Sequence, residues 1–129
     1  VPEFPSIAHV ALTVRDLEVS IPWYERLFGS KAVLDEDTGP FRHAAWLVGA
    51  ANLIALNQFL QLDDETAFNE RRVGLDHLAF HCNSRGELES WRAQLDTLGI
   101  AHSGIVDADY GSVLSFRDPD NIALEFFAG

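Results

Sequence analysis

Two stretches, IAHVALTV (Ile7–Val14) and LDHLAFHC (Leu75–Cys82), decide how the chain is read. Written one above the other, 68 residues apart, they place His9 on His77, Val10 on Leu78, Ala11 on Ala79 and Leu12 on Phe80. Side chains alternate between the two faces of a β-strand, so His77, Ala79 and His81 share one face and Leu78 and Phe80 the other. The apolar face belongs to a core, while the face of histidine and alanine is open. The same spacing carries Trp23 to Trp91 and Leu27 to Leu95, and Ile54, Ala55, Leu56 and Asn57 onto Ile122, Ala123, Leu124 and Glu125. One spacing that serves three separated segments identifies an internal repeat. The chain therefore reads as a single domain, 1–129, of two modules at about 5–60 and 73–128 with a polar linker, 61–72.

Each module has the same order of elements. A strand (7–14, then 75–82) alternates with period two and a helix follows. In the second module Ser84 and Glu87 form an S-x-x-E capping box, and Leu88, Trp91, Leu95 and Leu98 make one apolar stripe. Gly99 is placed to end that helix, as Gly29 ends the first after Trp23, Tyr24, Leu27 and Phe28. Pro22 lies early in the first helix and blurs its start, because proline is tolerated in the first turn. Three strands are expected after each helix, at 31–36, 42–48 and 52–59, then at 101–106, 112–117 and 121–127. Thr38-Gly39-Pro40 and Asp118-Pro119-Asp120-Asn121 supply turns between them. The architecture is βαβββ, twice.

Composition narrows the function. Acids outnumber bases 20 to 9, for a net charge of −11, and such a surface repels phosphate backbones and anionic membranes. Neither nucleic acid nor membrane is an expected partner, and no apolar run approaches the roughly 20 residues of a spanning helix. The single cysteine, Cys82, sits in an apolar strand and reads as a buried, inert thiol, which suits a cytoplasmic protein.

A repeated βαβββ unit with a histidine opening each half and a glutamate late in the second resembles the vicinal oxygen chelate superfamily. This is the glyoxalase, bleomycin-resistance and extradiol dioxygenase group. IAHVALTVRDLEVSIPWYERLFG, GLDHLAF and FRDPDNIALEFF carry the resemblance, which extends over nearly the whole chain. It implies an α+β fold of two tandem βαβββ modules whose mixed sheets curl into a cup. It also implies a divalent metal (iron, manganese, nickel or zinc) held from inside by the first and last strands of each module. Carried over residue by residue, the ligands are His9, His77 and Glu125, with Asn57 in a possible fourth position by the internal spacing. Ala55 is the rival for that position and could ligate nothing. Family members often dimerise, so a homodimer is expected, with cups built within one chain or by exchange of modules between two.

The donor chemistry agrees with such a site. Neutral imidazoles and a carboxylate suit first-row divalent metals, and two histidines with one carboxylate leave positions open for substrate. Against this, a lone strand histidine is more often structural, and Glu125 alone could be an edge carboxylate. His81, Ala55, Phe127 and Tyr110 are read as lining the pocket, with Phe59 a further aromatic; His43 and His102 are read as solvated or structural. Three chemistries compete. A glyoxalase-like isomerase needs a second carboxylate, and Asn57 cannot accept a proton at neutral pH. A three-ligand enzyme resembling extradiol dioxygenases or fosfomycin-modifying thiol transferases needs only His9, His77 and Glu125, with Glu125 or a metal-bound water as catalytic base. A non-catalytic binder, like the bleomycin-sequestering branch, would use the acidic cup to trap a cationic ligand.

Overall fold

In the computed structural model, which describes residues 1–129, each half of the chain repeats one order of elements. The first half runs β1 (His9–Thr13), α1 (Leu17–Phe28), β2 (Leu34–Asp37), β3 (Phe41–Val48) and β4 (Asn52–Phe59). The second runs β5 (Leu78–His81), α2 (Arg85–Leu98), β6 (His102–Ala108), β7 (Gly111–Arg117) and β8 (Ala123–Ala128). The result is an α+β fold of two tandem βαβββ modules, one within the compact unit Val1–Glu65 and the other within Thr66–Gly129. Each has a four-stranded mixed sheet, ordered β1-β4-β3-β2 in the first and β5-β8-β7-β6 in the second. First and last strands of a module pair in parallel and the other neighbours antiparallel. A parallel pair requires a long crossover, and the helix with its two following strands supplies it.

Both helices are capped by their own sequence. Asp16 opens α1, its carboxylate accepting from the Glu18 N–H at 3.0 Å, and Ser84 opens α2, its hydroxyl accepting from the Glu87 N–H at 3.2 Å. The Glu87 carboxylate reaches back to the Asn83 N–H at 2.8 Å, one residue earlier than in a standard capping box. Gly29 and Gly99 close the helices at φ 70° and 72°, a left-handed conformation that favours glycine. Pro22 differs from expectation. Helix α1 begins at Leu17, so Pro22 stands in its second turn rather than its first, where its ring removes one helical hydrogen bond. Burial compensates: Leu17, Tyr24 and Leu27 are all sequestered.

The alternation of apolar residues sets which face of each sheet is covered. In the first module α1 packs on β3 and β4, with Tyr24 and Phe28 against the fully buried Trp46 at 6.1 and 5.6 Å between ring centroids. The Trp46 indole N–H donates to the Ser30 carbonyl at 3.2 Å. In the second module Leu88 and Leu95 are buried, and Trp91 stacks on Phe126 at 4.3 Å with ring planes 15° apart. Leu124 and Phe126 thus point to α2, and their neighbours Ala123, Glu125 and Phe127 to the opposite face.

The two modules are not in the same register. Asp16 and Ser84, which open the helices, stand 68 residues apart, but Gly29 and Gly99, which close them, stand 70 apart. Helix α1 has 12 residues and α2 has 14, and the last two strands of the second module are displaced by two. The ladders show it directly: Ala11 lies opposite Ala55, whereas Ala79, its repeat partner, lies opposite Glu125. The counterpart of Glu125 is Ala55, and the spacing of 68 that points to Asn57 does not hold in the last strand.

The segment after the first unit is not a free connection. The Phe68 N–H donates to the Asp120 carbonyl at 2.9 Å, and the Asn121 side-chain amide donates to the Phe68 carbonyl at 3.0 Å. Residues 66–72 therefore fold against the turn between β7 and β8. In that turn the Asp118 carboxylate accepts from the Asp120 and Ile122 N–H groups, both at 2.8 Å. No helix is long and apolar enough to cross a membrane.

Candidate metal centre

The open face of the second sheet brings His77 and Glu125 together. Strand pairing begins at Leu78, so His77 sits immediately before β5 rather than within it, next to the start of β8 at Ala123. Glu125 is the third residue of β8 and points away from α2. Its carboxylate Oε1 lies 3.3 Å from His77 Nε2, and its side chain is only 17% exposed against 45% for His77. The other ring nitrogen, Nδ1, is 2.7 Å from the Asp76 carboxylate. This hydrogen bond to Asp76, with the charges of Glu125 and Asp76, raises the His77 pKa above its ordinary value against the opposing pull of burial.

Three charged residues around this pair were not anticipated from sequence. Arg117, last in β7, makes a two-pronged ion pair with Glu70 at 3.0 and 3.1 Å and donates to the Asn121 carbonyl at 3.1 Å. Arg117 holds the Glu70 carboxyl at about 2, chiefly through those hydrogen bonds. The favourable charge interaction between Arg117 and Asp76 links the pair to His77. Glu70, Asp76, His77, Ser115, Arg117 and Glu125 line a depression of about 140 Å³. Asp76 carries a local signal, an acid directly before the candidate histidine. Glu70 carries none, because its partner lies 47 residues away.

The donor pair fits a first-row divalent ion. Metal–nitrogen and metal–oxygen bonds of roughly 2.0–2.2 Å at tetrahedral or octahedral angles separate two donor atoms by about 3.0–3.5 Å. His77 Nε2 and Glu125 Oε1 stand within that range at 3.3 Å. An orienting carboxylate on the far ring nitrogen is the usual companion of a ligating histidine. No third His, Cys, Asp or Glu side chain joins them in a metal-holding group.

The first module offers different chemistry. His9 is the first residue of β1, exposed, and pairs with Leu53. Asn57 lies opposite Thr13 and His43, two positions beyond Ala55 along β4. Ala55 itself sits between Ala11 and Ala45, in a row with no donor side chain, where the second module has Ala79, Glu125 and Ser115. Phe59 packs on Phe41 at 5.7 Å.

The remaining residues divide by surroundings. His81 is exposed and pairs with Phe127, on the face that carries Glu125. Tyr110 is 72% exposed in the turn before β7 and stacks on Phe127, with centroids 6.2 Å apart and planes 12° apart. Gly111 permits this close approach, since a Cβ there would meet the Phe127 ring and the Ala128 carbonyl at 2.7 Å. His43 bonds Glu36 at 2.8 Å. His102 accepts from the Gly104 N–H through Nδ1, so Nε2 carries the proton toward Asp96 at 2.6 Å, tying β6 to α2. Cys82 is buried, and desolvation, with the Glu87 charge, pushes its thiol pKa up.

Comparison with known proteins agrees with this architecture. The family model described as Glyoxalase/Bleomycin resistance protein/Dioxygenase superfamily matches residues 6–126. The crystal structure of a glyoxylase/bleomycin resistance protein/dioxygenase domain from Frankia sp. EAN1pec is 32% identical, with a TM-score of 0.88 over 98% of this chain and 99% of that one. MhqA of Bacillus subtilis, assigned as a ring-cleaving dioxygenase, is 31% identical over 77 residues. That match spans 60% of this chain but only 23% of MhqA. A mutant of the fosfomycin resistance protein FosX from Listeria monocytogenes, complexed with Mn(II) and a dihydroxypropylphosphonic acid, shares the fold at 20% identity. Its TM-score is 0.72 over 98% of this chain and 92% of that one.

Proposed function

The chain belongs to the glyoxalase/bleomycin resistance protein/dioxygenase superfamily, and from that premise we propose a metal-dependent enzyme acting on a small oxygenated organic molecule. The observation that carries this reading is the 3.3 Å approach of His77 Nε2 to Glu125 Oε1, with Nδ1 engaged by Asp76. A ring-nitrogen lone pair and a carboxylate oxygen at that separation offer a cation two donors. His77 and Glu125 hold a divalent ion, and His9 supplies the third donor by its place in the repeat. Asn57 is not needed in this set. A divalent ion there supplies Lewis-acid polarisation of a substrate oxygen. Glu125, the least exposed of the charged groups beside His77, takes up the substrate proton as general base. His81 and Phe127 line the substrate side, and the protein works as a homodimer in the cytoplasm.

The test is metal content and affinity, by elemental analysis and calorimetry, on the native chain and on His9→Ala, His77→Ala and Glu125→Ala. One ion for each His77–Glu125 pair, lost in all three variants, supports the reading, and the identity of the ion separates iron-type oxygen chemistry from manganese, nickel or zinc catalysis. No binding of any divalent ion by the native chain sinks it.

A second reading has one observation in its favour. The stacked rings of Tyr110 and Phe127, on a protein of net charge −11, suit a bulky aromatic cation held without turnover. Tight binding of such a cation, undiminished in Glu125→Ala, would favour this binder.

A further inference from the structure

Asp76 stands directly before His77, and the two side chains form the shortest polar contact around the pair, 2.7 Å between the Asp76 carboxylate and Nδ1. Nε2 faces the Glu125 carboxylate at 3.3 Å, a distance beyond a strong charge-assisted hydrogen bond. A neutral imidazole has a single ring proton for these two acceptors. The closer acceptor takes it, so the proton rests on Nδ1 and the Nε2 lone pair is turned toward Glu125. Asp76 is itself more than half exposed, but it does not stand alone. The Arg117 guanidinium, fixed by Glu70 and the Asn121 carbonyl, has a favourable charge interaction with Asp76.

We propose that Asp76 is a positioning residue for His77: it fixes the Nδ1–H tautomer and the ring orientation, so that Nε2 is presented as a ready donor beside Glu125. The role rests on the reading of His77 and Glu125 as metal donors, yet its first consequence is a property of the metal-free protein. Asn at this position retains an oxygen that can accept from Nδ1–H, whereas Ala retains nothing.

The experiment follows from that difference. Nitrogen-15 NMR of the metal-free native chain, Asp76→Asn and Asp76→Ala reads the His77 tautomer at a pH where its own titration shows the ring to be neutral. Calorimetry with Mn(II) and Zn(II) then reads affinity, and the thermal midpoint of each variant establishes that it is folded. The expected result is Nδ1–H in the native chain and in Asp76→Asn, a shift toward Nε2–H in Asp76→Ala, and a roughly 10- to 100-fold loss of metal affinity in Asp76→Ala that Asp76→Asn recovers in part. A native chain with its proton on Nε2, or a tautomer unmoved in Asp76→Ala, overturns the inference. Failure of the native chain to bind either ion overturns the metal reading instead, and the tautomer comparison still decides the place of Asp76.

Discussion

Ala55 and Glu125 occupy the same place in their modules, each opposite the alanine two residues after the module's first histidine. The second module offers a carboxylate there and the first a methyl group. Asn57→Ala is therefore expected to leave metal affinity at the native value, while Glu125→Ala abolishes it. Calorimetry on the two variants side by side checks this, and a large loss in Asn57→Ala would show that the last strand of the first module contributes after all.

The His77 environment gives the fold a pH dependence of definite sign. Its pKa is raised above the ordinary 6.5 by the Asp76 hydrogen bond first, then by the Glu125 and Asp76 charges. The folded protein binds this proton more tightly than the unfolded chain does. Protonation thus stabilises the fold fully below pH 6.5, and the contribution is lost as the pH rises through the folded pKa. In metal-free protein, His77→Gln is expected to lower the thermal midpoint more at acidic pH than at about pH 9. An equal deficit at both would refute the coupling.

Trp46 is fully buried against Tyr24 and Phe28, and its indole N–H holds the Ser30 carbonyl. Trp46→Ala is expected to cost about 3–5 kcal/mol, from lost burial and the cavity left behind. Urea unfolding followed by circular dichroism measures it.

Ser20 is a small anomaly in the same core. Its side chain is buried on α1 and the hydroxyl has no hydrogen-bond partner. Removing a buried, unsatisfied polar group at little change of volume favours the fold, so Ser20→Ala is expected to stabilise by about 1 kcal/mol. The rise in thermal midpoint is the readout.

What could be read from sequence, and what could not, follows from the range of the forces involved. Strand faces were legible because alternation is local, and because spacings of 68 and 70 are both even. Either one gives Glu125 the same face as Phe127 and the opposite face to Leu124, which the stacking of Phe126 on Trp91 agrees with. The partner of Glu125 across the repeat was not legible from strand patterns. The two extra residues lie inside α2, where an apolar stripe tolerates added length, and only the closing glycines, Gly29 and Gly99, mark the change. The interior place of Pro22 was hidden because Asp16, the residue that opens the helix, stands six positions upstream. Glu70 and Arg117 meet across 47 residues, a pairing that no local pattern encodes.

The docking of Phe68 and Glu70 on the turn between β7 and β8 has a bearing on where this protein can be divided into halves. Judged by composition, the chain divides just before Val73, but a fragment starting there would strip the Asp120 carbonyl and the Asn121 amide of their partners and leave Arg117 without its carboxylate. Cut before Thr66, the second half keeps all of them. The compact second unit thus carries its own leading strap, and a fragment of it made to fold alone should begin at that seam.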